Sequence, residues 1–156
     1  MMRWISVSAR LLLVGIVIAV LLVRAVGHDP ERWHADPATA ARTGNPNDYL
    51  VGPAGSTTAI PDRMLESAPA DPLAAFDAVA RAAPRTEIIA GSLADGHITY
   101  VQRSLLVGFP DYISVKRVET SGAASIAAWS RSRFGYSDLG ENAARIDAWL
   151  TEAGFR

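Results

Sequence analysis

The chain has 156 residues, 15 basic and 16 acidic, no cysteine and 49% apolar residues, enough for one ordinary domain plus a short extra segment. Three of the bases, Arg3, Arg10 and Arg24, lie in an acid-free start, so residues 28–156 hold 12 bases against 16 acids, and such a body argues against DNA or RNA as partner because phosphate contacts call for a basic excess. Absence of cysteine excludes disulfides, zinc–thiolate sites and thiol chemistry, and Lys116, the single lysine, is the one candidate for Schiff-base chemistry.

Residues 11–23, LLLVGIVIAVLLV, are uncharged, with Arg24 directly after them. This run covers about 20 Å as a helix, short of the roughly 30 Å core of a bilayer. A longer helix from Trp4 to Val26, about 34 Å, reaches across, with Arg10 and Arg24 snorkelling and Trp4 at an interface. Alternatively, the basic start, the apolar run and Ala25-Val26-Gly27 form a signal peptide cleaved before His28, leaving a secreted or periplasmic protein. Arg24 interrupts the stretch that cleavage requires to be small and neutral, which favours an uncleaved anchor. Residues 1–27 are thus read as membrane anchor or signal peptide, contacting the membrane through residues 4–26, with the domain outside in the envelope space.

Residues 28–70 carry six of the nine prolines and no sustained period of 2 or 3.6, the mark of an extended strap. The strap nevertheless holds Trp33, Tyr49, Leu50 and Val51, which a free linker has little use for, so it is expected to lie against the domain. The compact part, residues 71–156, opens at Asp71-Pro72, a helix start, followed by Leu73, Phe76, Val79, Ala80 and Ala83 at helical spacing. Four strand-like runs follow, Thr86 to Ser92, His97 to Val107, Tyr112 to Glu119 and Ala124 to Phe134, separated by turn residues such as Asp95-Gly96 and Ser121-Gly122. Leu139, Ala143, Ile146, Leu150 and Ala153 then mark an amphipathic final helix. The fold class predicted is α+β: a four-stranded antiparallel meander with two helices on one face, in the order α-β-β-β-β-α, plus an N-terminal transmembrane helix.

Residues 130–146, SRSRFGYSDLGENAARI, stand out. Asp138 precedes Glu141 by three, a spacing in which Asp138 accepts amides at a helix start. Arg131 and Arg133 alternate to one strand face, roughly 7 Å apart, with those amides expected just beyond, so they form a candidate carboxylate or phosphate clamp rimmed by Tyr136. The structural alternative pairs Arg133 with Asp138, seats Tyr136 in the sheet–helix joint, and has Asn142 and Arg145 fasten the strap.

The same segment, with DYISVKR upstream, resembles the C-terminal signature of the domain-of-unknown-function family numbered 1499, Ser-Arg-x-Gly-x-Ser-Asp-x-Gly-x-Asn-x-x-Arg. The matching positions are Ser132, Arg133, Gly135, Ser137, Asp138, Gly140, Asn142 and Arg145, and the resemblance covers roughly residues 45–153. Many relatives carry an Asn-Cys pair near the start of the domain where this chain has Asn47-Asp48, so no thiol role transfers. The resemblance implies a domain and no reaction.

Other constellations are weaker. Without Gly-x-Ser-x-Gly, and with His28, His34 and His97 as the only histidines, serine hydrolysis has little support. His28 and His34 with Asp29, Glu31 and Asp36 read as a polar collar near headgroups rather than a metal site. Neither Gly-x-Gly-x-x-Gly nor a Walker loop occurs, so no nucleotide cofactor is expected. Trp129 and Trp149 read as packing. The leading expectation is a non-catalytic accessory or anionic-ligand-binding module, its candidate residues Arg131, Arg133, Tyr136, Ser137, Asp138, Asn142 and Arg145, its ligand a small anion, a lipid headgroup or an acidic protein tail. The alternatives are a hydrolase using Asp138 or Asp111 with Tyr136, and an interaction scaffold whose contact is the strap from Trp33 to Val51.

Overall fold

The computed structural model describes the backbone from Met2 and the side chains from Val7 to Arg156; the expected interfacial position of Trp4 lies outside the described side chains. The first helix, α1 (Met2–Arg24), has a mean hydropathy of 2.4 over Val7–Arg24, none of it buried. It is long and apolar enough to cross a membrane or to serve as a signal sequence. A single turn, α2 (Pro30–Trp33), follows, begun by Asp29, whose side chain accepts from the Glu31 amide.

The remaining elements are β1 (Asp48–Gly52), β2 (Arg63–Met64), α3 (Pro72–Ala82), β3 (Thr86–Ser92), β4 (His97–Arg103), β5 (Pro110–Thr120), β6 (Ala123–Ser132) and α4 (Glu141–Glu152). They build a mixed α+β fold around one sheet in the order β2-β1-β6-β5-β4-β3, antiparallel except for the β1–β2 pair. The expected four-stranded sheet is corrected to six strands. Its last strand is no edge, because the strap supplies β1, which pairs with β6 from Asp48↔Arg131 to Val51↔Ala128. The strap's prolines and lack of period hid a strand of five residues.

Alternation along the central strands divides the chain into two packing layers. Ile98, Tyr100, Ile113, Val115, Ile126 and Ala128 face α3 and α4, meeting Leu73, Phe76, Ala80, Ile146, Trp149 and Leu150 in the main core. The opposite face is covered by the strap: Trp33 packs on Val101 and Tyr112, and Ala40 with Leu50 and Trp129. Trp33 and Leu50 are therefore buried on this face, and Val51 is buried in the main core on the other, so none of the three is exposed to a partner.

The helix starts follow their local chemistry. Asp71 accepts from the Ala74 amide ahead of Pro72. The final helix starts at Glu141, two residues later than the apolar spacing suggested: Leu139 is 94% exposed, with a left-handed φ of 58°. The expected strand His97 to Val107 stops at Arg103 because Ser104 caps a tight loop, its hydroxyl accepting from the Gly108 and Phe109 amides.

Candidate functional site

The two candidate arginines do face the same way, but toward the strap and not toward the start of α4. Arg131 is 3% exposed. It donates to the Trp33 carbonyl, to the Ser114 hydroxyl and to the Trp129 carbonyl, and its guanidinium carbon stands 4.1 Å from the Trp129 ring centroid and 5.6 Å from that of Trp33. Burial pushes its pKa down to about 10, with Asp48 and Tyr112 working against the shift. No carboxylate lies within salt-bridge distance of it among the described residues, so carbonyls and indole faces hold its charge.

Arg133, two residues on, reaches the junction between α1 and the domain. It donates to the Gly27 carbonyl at 2.8 Å and to the Tyr112 hydroxyl at 3.2 Å. Two further arginines arrive there. Arg103 donates to the carbonyls of Val23, Val26 and Gly108 and to His28 Nε2, and Arg24 donates to the carbonyls of Leu105 and Leu106 at 3.2 and 2.9 Å. None of these three pairs with a carboxylate among the described residues.

Donor chemistry assigns the state of His28. Arg103 can only donate, so His28 Nε2 must accept, and the ring is neutral with its proton on Nδ1, 2.9 Å from the Tyr112 hydroxyl. Consistently, burial lowers the His28 pKa, and the positive charges of Arg103 and Arg133 lower it further against Glu87. Trp33 stacks on Tyr112 at 3.8 Å and 9°, completing the junction.

The other candidates gather on the opposite face in a hydrogen-bonded joint. Asp138 accepts from the Gly140 amide at 3.0 Å and the Asn142 amide at 2.8 Å, capping α4. Ser137 accepts from the Leu139 amide. Asn142 is 1% exposed; it donates to the Asn47 carbonyl and to Ser132 Oγ and accepts from Ser130 and Arg145. Arg145 also reaches Gln102 and pairs with Asp111 at 2.7 Å. Thus Asn142 does fasten the strap, whereas Arg145 ties α4 to β4 and β5. Arg133 and Asp138 form no pair, and Tyr136 is 70% exposed rather than seated in the sheet–helix joint. A cavity of about 270 Å³ lies beside this joint, lined in part by Asp111, Ser132, Phe134, Ser137 and Asp138.

Sequence reasoning passed over two buried acids. Asp77, on the core side of α3, accepts from the Tyr100 hydroxyl at 2.7 Å and pairs with Arg81; its position four residues after Leu73 on an apolar face was the available signal. The second is Asp48, whose side chain is buried. It holds Arg42, the Thr43 amide and Trp129 Nε1. Burial alone would raise its pKa, but these partners bring it below the usual carboxylate value. The three histidines do not converge with acids into a metal-binding group among the described residues. His34 stacks on His97 at 3.8 Å and bonds Thr99 Oγ1.

A family model described as a protein of unknown function (DUF1499) matches residues 34–152. The chain belongs to the DUF1499 family. The match begins within the strap, earlier than residue 45, and contains β1. No curated protein and no solved structure matches the chain.

Proposed function

We propose that this DUF1499 protein is a membrane-anchored, non-catalytic accessory module of the cell envelope, with α1 retained as a single-pass anchor and the domain outside, and that its junction binds an anionic lipid headgroup. One observation carries the reading: Arg24, Arg103 and Arg133 meet at the anchor's exit with backbone carbonyls and His28 as partners and no carboxylate among the described residues. Arg24 and Arg133 keep donors to spare after two such bonds each, Arg103 adds its charge after four, and a phosphate at bilayer depth offers the missing counter-charge. Retention of the anchor is supported by the carbonyls of Val26 and Gly27, at the candidate cleavage point, which accept bonds from Arg103 and Arg133. The ligand site of this proposal accordingly centres on Arg133 and excludes Arg131, which is buried and bonded inside the protein. The hydrolase alternative draws less support, since Asp138 is committed to the α4 amides and Asp111 to Arg145.

Native mass spectrometry of the full chain in mild detergent tests this. The expected result is an uncleaved polypeptide mass carrying an anionic phospholipid, retained in Arg131→Met and lost in Arg133→Gln/Arg103→Gln. A wild-type protein that comes out bare when anionic phospholipid is supplied overturns the headgroup site, and a mass starting at His28 overturns the anchor.

A further inference from the structure

The turns at the two ends of the sheet differ in chemistry. At one end the hairpins close through Leu93-Ala94-Asp95-Gly96 and Ser121-Gly122. At the other, the β4–β5 loop is Ser104-Leu105-Leu106-Val107-Gly108-Phe109, an apolar tip where a solvated turn would be polar. Leu105 is 67% and Leu106 82% exposed. Phe109 and Phe134, from the β6–α4 loop emerging at the same end, are also exposed and touch each other, ring centroids 5.9 Å apart. Clustered exposed apolar side chains mark a contact surface, whereas single ones do not.

What covers the cluster is indicated by its neighbour. Arg24, the last residue of α1, donates to the Leu105 and Leu106 carbonyls. Gly108 is buried, with φ +85°, and a Cβ there would stand 2.7 Å from Arg24 Cγ. The tip is thus packed against the end of the apolar helix. We infer that Leu105, Leu106, Phe109 and Phe134 dip into the leaflet from which α1 emerges, so that the domain sits on the bilayer surface in a set orientation. Arginines beside this apolar wedge place charge at headgroup level and leucine and phenylalanine below it, the usual partition of an interfacial contact. The inference rests on α1 lying in a membrane, and the experiment separates the two.

Because the chain lacks cysteine, an environment-sensitive fluorophore can be placed singly by Leu106→Cys, Ser121→Cys or Val14→Cys in the full chain, reconstituted in phosphatidylcholine vesicles with and without brominated acyl chains. The expected result is blue-shifted emission quenched by brominated lipid at positions 106 and 14, and water-like, unquenched emission at 121. Quenching at 14 with water-like emission at 106 overturns the wedge and leaves the anchor standing. Blue-shifted emission at 106 without lipid quenching shows a protein cover, such as a second copy, and also overturns it. No quenching at 14 overturns the anchor, and the wedge with it.

Discussion

Arg131 donates a hydrogen bond to the carbonyl of Trp33, 98 residues away in sequence, while its guanidinium carbon stands 5.6 Å from the centroid of the same residue's ring. One side chain of β6 thereby holds the backbone and the indole of the strap together. Trp33 in turn covers Tyr112, whose hydroxyl meets both His28 and Arg133. The strap and the junction with α1 are therefore one mechanical unit, with Arg131 at its base.

Arg131→Ala is expected to release the strap. It takes the charged donor from the Trp33 carbonyl, which keeps only the Ser114 hydroxyl, a loss of about 1.5–3 kcal/mol, and removes the cation from two indole faces. Hydrogen exchange should show lost protection at residues 33–34 ahead of the helices. Arg131→Met, which keeps the stem's volume, should lose less.

Asp138 reads as a cap. Asp138→Ala is expected to lower stability by about 1 kcal/mol and to raise amide exchange at Gly140 and Asn142, the two groups it holds. Denaturant titration checks the first effect and exchange the second. An unchanged stability would reopen a chemical role for this residue.

The buried Asp77–Tyr100 pair makes an asymmetric prediction. Desolvation and the Asp77 charge both push the Tyr100 phenol well above its ordinary pKa, so it stays a donor at any physiological pH. Tyr100→Phe removes one charge-assisted bond, about 1.5–3 kcal/mol, and leaves Asp77 with Arg81. Asp77→Leu removes the acceptor and strands the phenol inside the core; double-mutant analysis by urea unfolding should give a coupling of the same order.

Stability should fall on the acid side in two stages. His28 and His97 are both depressed below 6.5, chiefly by burial, then by Arg103 at His28 and by His34 at His97. The unfolded chain binds protons below about pH 6.5 that the folded chain resists, so stability is full above that value and declines beneath it. Protonated His28 can no longer accept from Arg103, and the junction should loosen first. Asp36 and Asp48 sit below 3.8 despite burial, held there by Lys116 and Arg42, and their contribution is lost at still lower pH. Thermal melts from pH 8 to 3 check the profile, and His28→Gln should flatten its first stage.

Much was legible locally. Period-3.6 spacing located α3 and most of α4, turn dipeptides separated β3 to β6, and the run 11–23 marked the apolar helix, because each signal lies within a few residues of what it specifies. The candidate site was legible as a segment and not as a site. Strand alternation correctly set Arg131 and Arg133 on one face, but which layer covers that face is a property of the whole sheet. The strap's strand was missed for the same reason: Asp48–Gly52 has almost no pattern of its own and becomes a strand by pairing with β6.

By itself, then, the chain's sequence determined an apolar N-terminal helix, an α+β domain with its local caps and turns, and membership of a family through eight spaced residues. Only the tertiary structure decided that Arg131 is a buried rivet and Arg133 a junction residue, that Asn142 closes onto the strap, and that the apolar loop tip lies against Arg24. Local preferences act over one turn or one hairpin. The choice of layer, and of which distant carbonyl a guanidinium meets, depends on contacts some eighty to one hundred residues apart in sequence, which form only when the sheet assembles.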